Sequence, residues 1–211
     1  MTGASSNEPV LMEADVDGVR LLTLNRPEQR NSLNTELAAA LFAALEIANA
    51  DAAVRVVVLT GANPAFCAGI DLKEAALGGA DFFRHLDSRC VTYVGKMSKP
   101  IIGAINGAAI TGGFEIALGC DFLIASERAV FADTHARVGI LPGGGMTARL
   151  PGAVGLRQAK LLSMTGNLID ARRAERLGLV AEVVPHQELV DRALDRSLPR
   201  GSVAMRSRGR P

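Results

Sequence analysis

Tryptophan is absent, tyrosine occurs once, and only 4% of the 211 residues are aromatic. That leaves no stacking platform for nucleobases, and the core has to be built from aliphatic side chains, alanine and glycine. An excess of one charge is lacking too. With 23 basic against 22 acidic side chains the net charge is +1, without the basic stripe of a nucleic-acid binder or the cationic face of a membrane-surface protein. No apolar run reaches the ~20 residues that span a bilayer. Cysteine is scarce: Cys67, Cys90 and Cys120 are odd in number, widely spaced and form no Cys-x-x-Cys. The opening Met-Thr-Gly-Ala-Ser-Ser has no apolar signal core, so a reducing cytoplasmic location is expected. His85, His135 and His186 stand about fifty residues apart without a His-Glu-x-x-His, so no metal site is expected. Neither Gly-Lys-Ser/Thr nor a helix-opening Gly-x-Gly-x-x-Gly occurs, which removes the usual nucleotide phosphate cradles. An acid–base site without metal or redox cofactor fits this inventory.

What is there is length and hydrophobicity enough for one large domain. The 211 residues, 48% of them hydrophobic, can hide roughly 70% of the unfolded chain's surface. Residues 10–25 read as one strand that stops at Asn25-Arg26-Pro27. A helix capped by Asn34 or Thr35 follows, with Leu37, Leu41, Ala44, Leu45 and Ala48 at helical spacing. Val54 to Thr60 is a strand buried on both faces, and so is the run beginning at Pro100-Ile-Ile-Gly-Ala-Ile. A helix from Phe114 to Gly119, a strand over 121–125, helices over 158–162 and 171–177, a strand over 180–184 and a helical start over 187–196 complete an α/β order. Residues 72–93 form a mixed, partly helical stretch of the kind that walls a site.

Two strand-to-turn segments carry the chemistry: Asn63-Pro-Ala-Phe-Cys-Ala-Gly-Ile-Asp-Leu-Lys-Glu74 and Asn106-Gly-Ala-Ala-Ile-Thr-Gly-Gly-Phe-Glu115. Small residues after a buried strand let a ligand approach the main chain, so backbone N–H groups become donors. Gly112 stands at a helix N-terminus, where unpaired N–H groups and the dipole favour negative charge, and Glu115 lies in the first turn. Facing each other, the loops would aim the Ala68 and Gly112 amides at one carbonyl oxygen. Ordinary tight turns explain the same glycines on composition alone.

Phe66-Cys-Ala-Gly-Ile-Asp-Leu-Lys-Glu74, with Asn106-Gly107, Gly112-Gly113-Phe-Glu115 and Cys120-Asp121, closely resembles the enoyl-CoA hydratase (crotonase) family. Leu24-Asn-Arg-Pro27, Phe131-Ala-Asp-Thr-His135, Val138-Gly-Ile-Leu-Pro-Gly143 and Ile169–Val180 extend the likeness over about residues 10–196. The resemblance implies an α/β spiral of ββα repeats, a homotrimer or a dimer of trimers, and an acyl-CoA thioester as substrate, so that coenzyme A enters with the substrate and no separate cofactor is expected. By the same resemblance Ala68 and Gly112 supply the oxyanion-hole amides. Ala65, Ala68, Gly69, Ile70, Asp71, Leu72 and Gly112 grip the CoA thioester mainly by backbone groups, helped by Arg26, Gln29 and Arg30. Glu115 matches one catalytic glutamate of the hydratases. Where they place the second, this chain has His135, still able to exchange a proton near neutral pH. Glu115 and His135 are the expected proton-transfer pair, and Asp133 either orients the imidazole or acts itself.

The expected activity is hydration of a 2-enoyl-CoA to a 3-hydroxyacyl-CoA. The alternatives are double-bond isomerisation, another crotonase-type reaction, or acyl-CoA binding without catalysis. Three segments are expected: a disordered start over 1–9, the acyl-CoA-binding domain over 10–196, and a disordered Arg/Ser/Gly/Pro tail over 197–211. The tail reads as an out-of-frame or truncated end that replaces the family's helical trimerisation segment.

Overall fold

The computed structural model describes residues 8–197. It opens on a hairpin in which β1 (Leu11–Val16) pairs antiparallel with β2 (Val19–Leu24). Asp17 and Gly18 both have positive φ, 50° and 83°, the backbone of a two-residue type I′ turn for which Asp-Gly is a favoured sequence. The single strand expected over 10–25 is thereby corrected to two. α1 (Thr35–Ala50) is capped by Asn34, whose side chain accepts a 2.9 Å bond from the Leu37 amide. There follow β3 (Val56–Gly61), β4 (Ala65–Cys67), α2 (Leu72–His85), α3 (Arg89–Val94), β5 (Ile101–Ile105), β6 (Ala108–Ile110), α4 (Gly112–Gly119), β7 (Phe122–Ser126) and β8 (Val130–Ala132). The described chain ends with α5 (Met146–Val154), α6 (Leu156–Thr165), β9 (Ile169–Asp170), α7 (Ala171–Arg176), β10 (Glu182–Val184) and α8 (Leu189–Ser197). Ser197, expected in the irregular tail, closes α8; residues 1–7 and 198–211 lie outside the described residues.

The strands form two sheets, one of six in the order β1-β2-β3-β5-β7-β10 and one of four in the order β4-β6-β8-β9. Consecutive pairs split between them: β3 and β4, β5 and β6, β7 and β8 each send the first strand to the large sheet and the second to the small one, and each pair leads into helix. This is the expected ββα spiral. Its pitch stacks β4, β6 and β8 side by side and parallel, so three loops that are distant in sequence leave the same sheet edge together. Ligand sites collect at the carboxyl ends of parallel strands for that reason.

Two asparagines hold β4 in place. Asn31 donates through Nδ2 to the carbonyls of Ala62 and Ala65, both at 2.7 Å. Asn106 donates to Ala65 O at 3.1 Å and accepts from the Gly61 amide at 3.3 Å. Phe114 of α4 packs on Phe131 of β8 with ring centroids 5.6 Å apart, a contact that ties the helix carrying Glu115 to the strand leading to His135. α8 buries Leu189 and Ala193 against Val19, Val58 and Ile102 on the other face of the large sheet.

Candidate active site

The loops after β4, β6 and β8 enclose a cleft of about 320 Å³. Ala68, Ile70 and Leu72 contribute from the first, Thr111, Gly112 and Glu115 from the second, and His135 from the third. Phe83, Leu86, Cys90 and Val91 of the α2–α3 region complete an apolar wall, as expected of residues 72–93. A Cβ on Gly112 would sit 3.7 Å from Gly69 Cα, so the two glycine loops face each other at close range.

The main chain decides which amides can serve a ligand. Residues 69–71 run parallel to Leu33: Leu33 N–H donates to Gly69 O at 2.7 Å and Asp71 N–H donates to Leu33 O at 2.9 Å. Bonds along an extended segment alternate between its two edges, so the Ile70 N–H lies on the edge away from Leu33, toward the cleft. It has no hydrogen-bond partner among the described residues. Nor has the Gly112 N–H, in the first turn of α4, where no intrahelical acceptor exists. The Ala68 amide differs from expectation. It donates to Arg30 O, in the loop after β2, at 3.1 Å. The available pair is therefore Ile70 with Gly112.

Glu115, His135 and Asp133 are buried to 4%, 6% and 1% exposure and form one chain of contacts. Glu115 Oε1 accepts from the amides of Gly144 and Met146 at 2.8 and 3.1 Å, which fixes the carboxylate at the start of α5. Its Oε2 faces His135 Nε2 at 3.7 Å, too far for a direct hydrogen bond and suited to an intervening water or hydroxyl. On the other side of the ring, His135 Nδ1 lies 2.7 Å from Asp133 Oδ1. Burial raises the Asp133 pKa, but hydrogen bonds from the His135 ring, Ser163 and the His135 amide outweigh it and hold the carboxyl below the usual aspartate range. An ionised Asp133 only accepts, so Nδ1 carries a proton and Nε2 is the nitrogen presented to Glu115. The Cys90 thiol on the cleft wall is pushed up to about 12, mainly by burial, and stays protonated.

Other expected contacts do not line the cleft. Arg26 donates to Ser32 O at 2.6 Å and to Asp71 Oδ2 at 3.0 Å, and the Arg26–Asp71 side chains are only 14% and 9% exposed. Asp71 also caps α2 by accepting from Lys73 N and Glu74 N. This pair thus locks the loop behind Ile70. Ala65 is buried in β4 with its carbonyl taken by the two asparagines, and the Gly69 carbonyl is taken by Leu33. Gln29 and Arg30 are exposed on the loop after β2. Among the described residues, no group of three His, Cys, Asp or Glu side chains is gathered for a metal ion, and no helix is long and apolar enough to cross a membrane.

Comparison with known proteins agrees with this architecture. Residues 15–198 match the family described as enoyl-CoA hydratase/isomerase. A probable enoyl-CoA hydratase of Rhizobium meliloti is 43% identical over 195 residues, covering 90% of this chain and 74% of the relative. A probable peroxisomal enoyl-CoA hydratase of Arabidopsis thaliana is 38% identical over 188 residues, 89% and 71% of the two chains. The solved enoyl-CoA hydratase from Mycobacterium smegmatis superposes with a TM-score of 0.79 at 50% identity, over 90% of this chain and 80% of that one. The one from Bacillus anthracis superposes with a TM-score of 0.85 at 40% identity, over 89% and 75%. With its spiral of strands, its facing glycine loops and these relatives, the chain belongs to the enoyl-CoA hydratase/isomerase family.

Proposed function

We propose that this chain adds water to the double bond of a 2-enoyl-CoA and yields the 3-hydroxyacyl-CoA. The observation that carries the reading is the meeting of two unpartnered amides, Ile70 and Gly112, with the buried Glu115–His135 pair in one cleft. A thioester oxygen between the amides takes on negative charge as water attacks the β carbon, and preorganised donors act most strongly on that developing charge. Glu115, held by Gly144 and Met146, accepts the proton of the attacking water. The new C–O bond forms at the β carbon, and the electron pair of the double bond moves through the α carbon to the oxygen. Glu115 passes that proton across the 3.7 Å gap to the lone pair of His135 Nε2, and collapse of the enolate takes it from Nε2 to the α carbon. Asp133 supports the ring while it is cationic, and both groups end the cycle as they began it.

This chemistry calls for no metal or redox partner, since coenzyme A arrives as part of the substrate. Gln29 and Arg30 stay available to its phosphates, while Arg26 acts through Asp71. On the same reading the chain forms a homotrimer or a dimer of trimers in the cytoplasm. Leu141 and Met164, 90% and 80% exposed, support burial by further copies, and three unpaired cysteines suit a reducing compartment.

Loss of the conjugated enoyl absorbance of crotonyl-CoA tests the activity. Turnover no greater than that of a Glu115→Gln variant refutes hydration. Product analysis with a 3-enoyl-CoA separates isomerisation, and tight thioester binding without conversion of any substrate identifies a binding protein.

A further inference from the structure

Thr111 combines an unfavourable backbone with an idle side chain. Its φ of 47° and ψ of −114° lie in a region that glycine enters freely and a β-branched residue avoids. Both neighbouring peptides are nonetheless fixed: the Thr111 amide donates to Ala132 O at 3.0 Å, and its carbonyl accepts from the Glu115 amide at 2.9 Å. The conformation turns the next N–H, that of Gly112, out of the β6–β8 ladder. Strain of this kind persists where the surroundings impose it, and it concentrates at functional sites.

The side chain stands in the same place. Thr111 lines the cleft, its hydroxyl does not cap α4, and it has no hydrogen-bond partner among the described residues. It rests against Gly69, where an added Cβ would come within 2.0 Å of Thr111 Oγ1. The peptide following Gly69 bears the Ile70 N–H, and the peptide following Thr111 bears the Gly112 N–H. The hydroxyl is therefore carried by the residue before one available amide and rests against the residue before the other, in the cleft that both line.

We propose that the Thr111 hydroxyl donates a third hydrogen bond to the thioester oxygen of the substrate, which accounts for a strained threonine where glycine would fit without strain. The proposal rests on the hydratase reading of this cleft. A hydroxyl rotates about its C–O bond and can follow the oxygen as it changes from carbonyl to enolate, so its contribution grows as charge develops.

Steady-state hydration of crotonyl-CoA by T111V and T111S tests the proposal, with calorimetric binding of acetoacetyl-CoA as a measurement independent of turnover. T111V keeps the branched shape without the donor, and its kcat should fall by about 10- to 100-fold, toward the loss seen for single oxyanion donors, with KM little changed. T111S restores the donor and should return kcat to within about threefold of wild type. If T111V does not fold, T111G, which releases the strain and also lacks the hydroxyl, carries the comparison with T111S. A hydroxyl-free variant at wild-type kcat, or T111S as impaired as that variant, overturns the proposal and leaves the hydratase reading standing. A wild-type protein that neither converts crotonyl-CoA nor binds acetoacetyl-CoA overturns both.

Discussion

Replacing Asp133 by asparagine removes one charge with almost no change in volume, and so isolates what the carboxylate does for His135. Asp133 is 1% exposed, and its Oδ1 meets both the ring Nδ1 at 2.7 Å and the His135 amide at 3.3 Å. An asparagine oxygen in the place of Oδ1 keeps both bonds but carries no charge. The ring that forms when Nε2 takes up a proton then has no carboxylate to offset its positive charge. General acid–base groups contribute about 10²–10⁴ in rate, and Glu115 keeps its own hydrogen bonds in the variant. The expected loss is therefore about 10²–10³ in kcat, or about 3–4 kcal/mol of transition-state stabilisation. The assay is the decay of crotonyl-CoA absorbance under saturating substrate, with thermal unfolding as a control for folding. A folded Asp133→Asn variant with kcat within about threefold of wild type refutes the electrostatic support of His135 by Asp133.

Other perturbations test the scaffold. A Cβ at Gly144 would lie 2.3 Å from Val91 Cγ1 and 2.7 Å from Glu115 Oε2, so Gly144→Ala should dislodge the carboxylate and lower kcat about 10²-fold, the scale of a 1 Å misplacement; kcat within threefold in steady-state assays counts against it. Asp71→Ala leaves the largely buried Arg26 without its partner and α2 without its cap, at a cost of about 3–5 kcal/mol, read from the urea midpoint; a loss below about 1 kcal/mol contradicts the assignment. Burial raises the Asp71 pKa, but the Glu74 amide, Arg26 and Ser32 outweigh it and the net shift is downward. Its contribution to stability is then present above the ordinary aspartate pKa of about 4 and disappears as pH falls through the lower native value. Wild type should lose stability on acidification more steeply than Asp71→Asn, and parallel urea-midpoint curves would refute the linkage.

Long periodic elements were legible in the sequence. The repeat of Leu37, Leu41 and Leu45 marks α1, and the unbroken apolar runs mark β3 and β5, because burial writes itself into side-chain type. The three-residue strands β6 and β8 are too short for any period to register. α5 contains Pro151 and Gly152, two residues that argue against helix, and its first amide is satisfied from far along the chain, by Glu115. The Asp17-Gly18 turn was readable, but the apolar run after it masked the break.

In the site, the sequence by itself supplied the side-chain chemistry of Glu115 and His135 and the small residues of the two glycine loops, and its resemblance to the hydratases implied that they pair there. Only the tertiary structure decided which amides are available. Ala68 and Ile70 carry the same backbone donor, and what separates them is that Arg30 and Leu33, more than thirty residues earlier, take up one edge of their segment and leave the other open. Long-range pairing likewise commits Arg26 and Asp71 to each other, and the ββα spiral alone brings residues 70, 112 and 135 to one sheet edge. Hydrogen-bond availability is a property of folded neighbours, so no reading of residue types could have assigned it.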